Sequence, residues 1–215
     1  MVAREKSVAE KDLVIQPPKM VTGVFTIIGD APLVMNAFSQ KARNQIRATQ
    51  EAGSTRKKGQ KREGKNFQEC YEGSMHKTPD GWVGIPASAF RNAMISACRM
   101  AGFKMTHAKL SIKVIADGFD VTDGTPLVRI TKGEPSYVEH YVRNETGVVD
   151  LRARAKWNPG WETDVKVQFD GDQFTLDDVT NLLMRAGMQV GLLEGRPDSK
   201  KSAGMGWGTF VLKGR

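Results

Sequence analysis

From residue 175 to 190 apolar side chains recur at the three- and four-residue steps of a helix. Leu176, Val179, Leu182, Leu183, Ala186 and Val190 form one stripe, and Thr175 followed by Asp178 supplies a capping-box-like start. A second helical stripe runs from Pro86 to Gly102 through Phe90, Ala93, Met94, Ala97, Cys98 and Ala101. Pro86 or Ser88 can open that helix and Gly102 can close it. A chain with two such stripes must supply an apolar surface for both, and the segments around them read as strands.

VTGVFTII (21–28) is β-branched and aromatic, and it ends at a Gly-Asp-Ala-Pro turn. Leu110, Ile112 and Val114 alternate with Ser111 and Lys113, LVRI (127–130) follows between turns, and Val165, Val167 and Phe169 share a face in 163–169. A Gly-rich stretch then leads to a last strand from Trp207 to Leu212. The order strand, helix, strand, strand, helix, strand predicts an α+β class with a ferredoxin-like or RRM-like βαββαβ core, an antiparallel sheet backed by two helices. Residues 1–19 read as an N-terminal arm and 20–215 as a single domain with two insertions. One is basic and expected to be mobile, at about 36–80. The other, 134–160, reads as a β-hairpin with a polar tip at Arg143–Gly147. On its returning arm Arg152, Arg154 and Lys156 alternate with Leu151, Ala153 and Ala155, which makes one face cationic and ends it at Trp157.

Charge narrows the partners. The 215 residues carry 32 Lys+Arg against 24 Asp+Glu, a net +8. Residues 36–66 hold nine of the cations, Lys41, Arg43, Arg47, Arg56, Lys57, Lys58, Lys61, Arg62 and Lys65, against Glu51 and Glu63 alone. A local excess of seven is the footprint of a polyanion-binding segment. Residues 53–66 contain nothing apolar to offset the entropy of ordering, so a mobile loop is expected there when the protein is free. An amphipathic membrane anchor is poorly supported, because Phe38 and Ile46 do not extend into an apolar face.

Other classes find no residues to carry them. No run of 18 apolar residues exists, and the opening residues lack the apolar segment of a secretory leader. Cys70 and Cys98 are too few for a disulfide framework, which fits a reducing, cytoplasmic location. His76, His107 and His140 lie about 30 residues apart without metal-ligand spacing. GMGWG precedes a strand rather than a helix and so is no phosphate-binding nucleotide loop. No metal, cofactor or catalytic residue is expected. Binding chemistry is better supplied: Ser88 and Arg91 at the positive end of the first helix, Lys200 and Lys201 in the Gly-rich loop, and the hairpin cations. Tyr137, Tyr141, Trp157 and Trp161 lie in or beside the hairpin and are candidates either for stacking on bases or for core packing, which suits Trp161 better.

GIPASAFRNAM (84–94) resembles the entry to the first helix in the RAMP superfamily of CRISPR proteins. The 191–212 stretch, with Gly195-Arg196-Pro197 and Gly204 to Phe210, resembles that superfamily's C-terminal Gly-rich loop running into the last strand. The chain is most similar to backbone subunits of CRISPR effector complexes. The resemblance implies a non-enzymatic protein that polymerises along single-stranded RNA, in preference to DNA, with other effector subunits as further partners. The 134–160 hairpin would then be the thumb and 36–66 a finger or web region. The chain is short for such a subunit, and Leu192-Leu193 stand where Gly-x-Gly is expected, as in a reduced, phage- or plasmid-borne relative. The superfamily also includes metal-independent endoribonucleases that use an early histidine, for which His76 is this chain's first. A third reading is a structural or assembly protein that merely holds polyanion.

Overall fold

The computed structural model describes residues 15–38, 40–51, 53, 64–143, 147–199 and 205–214. In chain order the elements are β1 (Met20–Gly29), β2 (Leu33–Met35), α1 (Gln40–Glu51), α2 (Phe67–Glu72), β3 (Gly84–Pro86), α3 (Ala87–Ala101), α4 (Met105–Ser111) and β4 (Ile112–Ile115). There follow β5 (Gly118–Phe119), β6 (Pro126–Lys132), β7 (Ser136–Arg143), β8 (Val149–Trp157), β9 (Glu162–Asp170), α5 (Leu176–Arg185) with a π-helical turn over Ala186–Val190, and β10 (Phe210–Leu212). The fold is α+β, with antiparallel sheets.

Strand β1 is central. It pairs with β9 along nearly its whole length, from Met20↔Asp170 to Ile28↔Glu162, and with β10 at its far edge. The outer edge of β9 is divided. Its C-terminal half pairs with β4 (Ile112↔Phe169 to Ile115↔Lys166), while its start pairs with β6 (Ile130↔Thr163). Strands β3 and β5 both add to β6. Helices α3 and α5 cover one face of this sheet. Phe90, Met94, Ala97 and Cys98 from α3, and Val179, Leu182 and Leu183 from α5, meet Ile27, Val165, Val167 and Phe169 in one buried cluster. Burying side chains of this size is worth roughly 1.5–3 kcal/mol each, which is what holds both amphipathic stripes to the sheet. The expected caps are in place for α5, where the Asp178 amide donates to Thr175 Oγ1 and the Thr175 amide to the Asp178 carboxylate. Gly102 closes α3 in the left-handed conformation.

A second sheet, β2-β8-β7, contains the expected hairpin, registered from Ser136↔Lys156 to Arg143↔Val149. Two expectations are corrected. Leu110 does not begin a strand; it lies in the last turn of α4 and is 90% exposed, and the strand starts at Ile112. Tertiary contact decides this, because Arg91 donates to the carbonyls of Lys109 and Ile112 and so holds the end of the α4 turn. The basic insertion is not uniformly irregular, since it contains α1 and α2. Asn66 starts α2 by accepting from the amides of Gln68 and Glu69. Of the two residues that could open α3, Pro86 occupies the cap position, and Ser88 is exposed in the first turn. The mobile-loop expectation for 53–66 falls largely outside the described residues.

Candidate nucleic-acid interface

The two faces of the β7–β8 hairpin have different chemistry because opposed residues share a face. Tyr137, Glu139 and Tyr141 lie opposite Ala155, Ala153 and Leu151, whereas His140 and Val138 lie opposite Arg152 and Arg154. The first face packs on the α2 region. The Ala155 amide donates to Ser74 Oγ at 2.9 Å, and the Tyr71 and Tyr137 rings sit 5.5 Å apart. Trp157 continues this face into the core at 1% exposure. Its candidate stacking role is therefore corrected, since no base can reach a ring enclosed by core side chains. Trp161 is fully buried, as core packing predicts. Tyr141 remains exposed, on the face away from the arginines.

The second face carries the cations and meets the Gly-rich loop. Glu194 reaches from that loop between the two arginines: one carboxylate oxygen accepts from Arg152 at 3.1 Å and from His140 Nε2 at 3.1 Å, the other from Arg154 Nε at 3.0 Å. Burial alone would raise the Glu194 carboxyl, but the His140 hydrogen bond and the Arg154 charge override it and hold it at about 2. His140 is buried, its Nδ1 has no partner among the described residues, and its ring meets Trp207 edge-on at 5.3 Å. At the outer end Asp150 accepts from Arg152 at 3.4 Å and also from Lys65. The Lys65 hydrogen bond is the main cause of a lowered Asp150 carboxyl. Lys65, Arg152 and Arg154 thus alternate with Asp150 and Glu194, and Lys156 extends the row with no ion pair among the described residues. The row keeps an excess of positive charge.

The glycines of the loop serve its own packing first. A Cβ on Gly208 would lie 2.0 Å from the Leu192 carbonyl oxygen, and one on Gly195 2.5 Å from the Trp207 indole. Leu193 has φ +59, the one non-glycine residue at positive φ among those described.

Two cations of α1, Lys41 and Arg43, pair outside the helix, whereas Arg47 pairs within it. Arg43 pairs with Asp123, donates to the Phe38 carbonyl at 3.2 Å and lies 5.9 Å from the Phe38 ring centroid. Its hydrogen bond is the chief reason the Asp123 carboxyl falls to about 2. Lys41 pairs with Glu69 at 3.6 Å, and Arg47 with Glu51 at 2.8 Å. Arg91, a candidate phosphate contact, donates from Nε to the Ile112 carbonyl at 2.9 Å and from one Nη to that of Lys109, which gives it a structural role at the α4–β4 junction. Arg56, Lys57, Lys58, Lys61, Arg62, Lys200 and Lys201 lie outside the described residues.

Sequence reasoning missed the partners of these cations and one further pair. His76 Nδ1 lies 2.6 Å from Asp120, whose other oxygen accepts from the Thr122 amide at 2.7 Å. Among the described residues no three His, Cys, Asp or Glu side chains group as a metal site, and no helix is long and apolar enough to cross a membrane. No protein-family model matches the chain, and no curated protein matches it.

Proposed function

We propose that this is a non-enzymatic protein that binds single-stranded nucleic acid, RNA in preference to DNA, through its phosphates. Within that class we read it as a RAMP-like protein with a ferredoxin-like core, which coats the strand in repeated copies and has other effector-complex subunits as further candidate partners. The observation that carries the reading is the row Arg152, Arg154 and Lys156 on one hairpin face beside the Gly-rich loop, joined through Asp150 by Lys65 from a segment whose sequence has a charge excess of seven. The strand path β10-β1-β9-β4, with α3 leading from β1 toward β4 and α5 from β9 to β10, supports the ferredoxin-like part. The test is fluorescence-anisotropy titration of single-stranded RNA, same-sequence DNA and duplex DNA at several salt concentrations. Binding that favours single strands and saturates at a fixed number of nucleotides per protein supports the proposal. Equal, weak binding to all three without a site size favours a structural role instead.

The His76–Asp120 pair favours a second reading, a metal-independent endoribonuclease. A carboxylate that holds the Nδ1 proton leaves Nε2 as a base for a ribose 2′-OH. Single-turnover cleavage of a structured RNA without metal, abolished by His76→Ala, is the expected result. An intact RNA after prolonged incubation removes this reading.

A further inference from the structure

No described element covers the sheet face opposite α3 and α5, and among the described residues this face holds a cleft of about 330 Å³ between β1, β9 and β6. Trp82 forms one wall. Its indole lies over Gly84 and Gly118, where any Cβ would come within 2.9 and 2.6 Å of the ring, so both positions leave room for it to lie flat. Arg129, directly opposite Gly84, holds its guanidinium 5.8 Å from the Trp82 centroid with no carboxylate paired to it among the described residues, while its backbone amide donates to the Asp117 carboxylate at 3.0 Å. The floor is Val24, 63% exposed on the central strand of the sheet. Lys166, opposite Val24, donates to Asp117 at 2.8 Å. Asp164 accepts from Thr26 at 2.5 Å through Oδ1, and its Oδ2 has no partner among the described residues.

We propose that this cleft is a guanine-binding site, set apart from the hairpin cations, that reads a base of the bound strand; it rests on the strand-binding reading above. An apolar floor, an indole wall and a neighbouring guanidinium suit a planar heterocycle. Arg129 and Lys166 as donors, with the unpartnered Asp164 oxygen as an acceptor beside Lys166 on β9, then choose among the bases. Guanine presents O6 and N7 as acceptors on one edge, matched by Arg129 and Lys166. Its N1–H and N2–H donors stand side by side on the other, matched by Asp164, which is acceptor-only when ionised. Adenine and cytosine place a ring acceptor beside their single amine. Uracil flanks its N–H with two carbonyls, so each of these brings a lone pair against the carboxylate.

The experiment compares 12-nucleotide oligouridylates carrying guanosine, inosine or adenosine at two positions, by anisotropy at fixed salt. Inosine lacks only the exocyclic amine. Wild type is expected to bind the guanosine strand about tenfold more tightly than the inosine strand, the size of one good bidentate base contact. Asp164→Asn, a conservative change on an exposed sheet face, is expected to erase that preference while oligouridylate affinity and its salt dependence stay as they were. Equal affinity of wild type for all three strands overturns the guanine site and leaves strand binding intact. If no strand binds, guanosine monophosphate is titrated against tryptophan fluorescence, to which Trp82 and Trp207 are partly open while Trp157 and Trp161 are buried; loss of the signal in Asp164→Asn assigns it to Trp82. Saturable quenching lost in Asp164→Asn then supports the site for a free nucleotide and overturns the strand reading. No quenching overturns the site.

Discussion

Glu194 is the residue on which the hairpin and the Gly-rich loop depend. Its side chain is only 10% exposed and serves three donors, while its own amide donates to the Val34 carbonyl. That anchoring holds Leu193 in a left-handed conformation that costs an L-residue ~1–3 kcal/mol. Removing one partner from a buried charge cluster leaves the others uncompensated, so Glu194→Gln is expected to lower stability by roughly 3 kcal/mol. The effect depends on pH. The folded carboxyl sits at about 2 against an ordinary value of 4.5, a depressed pKa. Its contribution is therefore fully present above about 4.5 and is lost as pH falls toward 2. Urea denaturation of wild type and Glu194→Gln should show a gap at pH 7 that closes below pH 3. Asp123 titrates in the same window, which is why the difference between the two proteins is the informative quantity. A gap that stays constant with pH would mean that the carboxylate charge is not what matters there.

At the scale of elements, α1 is the weakest attachment. None of its described side chains is buried, and twelve residues are marginal as an isolated helix in water. Arg43 joins it to the 120–125 turn and Lys41 to α2. Exposed pairs of this kind contribute ~0–1 kcal/mol each, so Arg43→Ala should barely move global stability. It should nevertheless raise amide hydrogen exchange across 40–51 well above that of α3 and α5. Unchanged protection would show that something other than this pair orders the helix. The same contrast explains what the sequence makes legible. Helices α3 and α5 and strands β1, β8 and β9 bury a periodic face, and that period can be read directly. The α1 and α2 helices bury no such stripe, and α4 borrows its C-terminal hydrogen bonds from Arg91, eighteen residues earlier. Glu194 lies 40 residues from Arg154 and Asp120 lies 44 from His76, so no local spacing announces either cluster. The cationic row on β8 was visible; the carboxylates that occupy it were not.

Ten of the described lysines and arginines, Lys65, Arg152 and Arg154 among them, pair with carboxylates, so a strand does not meet them as free cations. A phosphate approaching Arg152 or Arg154 must compete with Glu194, and one approaching Lys65 must compete with Asp150. Each such contact gains less than a free cation would. Arg56, Lys57, Lys58, Lys61 and Arg62 have no acidic residue among them except Glu63 just beyond. Phosphate contacts to single strands change log K by about −0.7 per contact per decade of salt, so six contacts give a slope near −4. Reversing these five residues to Glu changes the net charge from +8 to −2, since each reversal removes two units. If this segment supplies most of the contacts, the titration proposed above, run on that variant, should lose nearly all its salt dependence. Binding should then weaken to the same extent for every sequence. Lys156→Glu alone should reduce the slope by about one contact, ~0.7. A quintuple variant with wild-type affinity and slope would assign the polyanion contacts to the hairpin row, and Glu194 would then be the competitor that any strand has to displace.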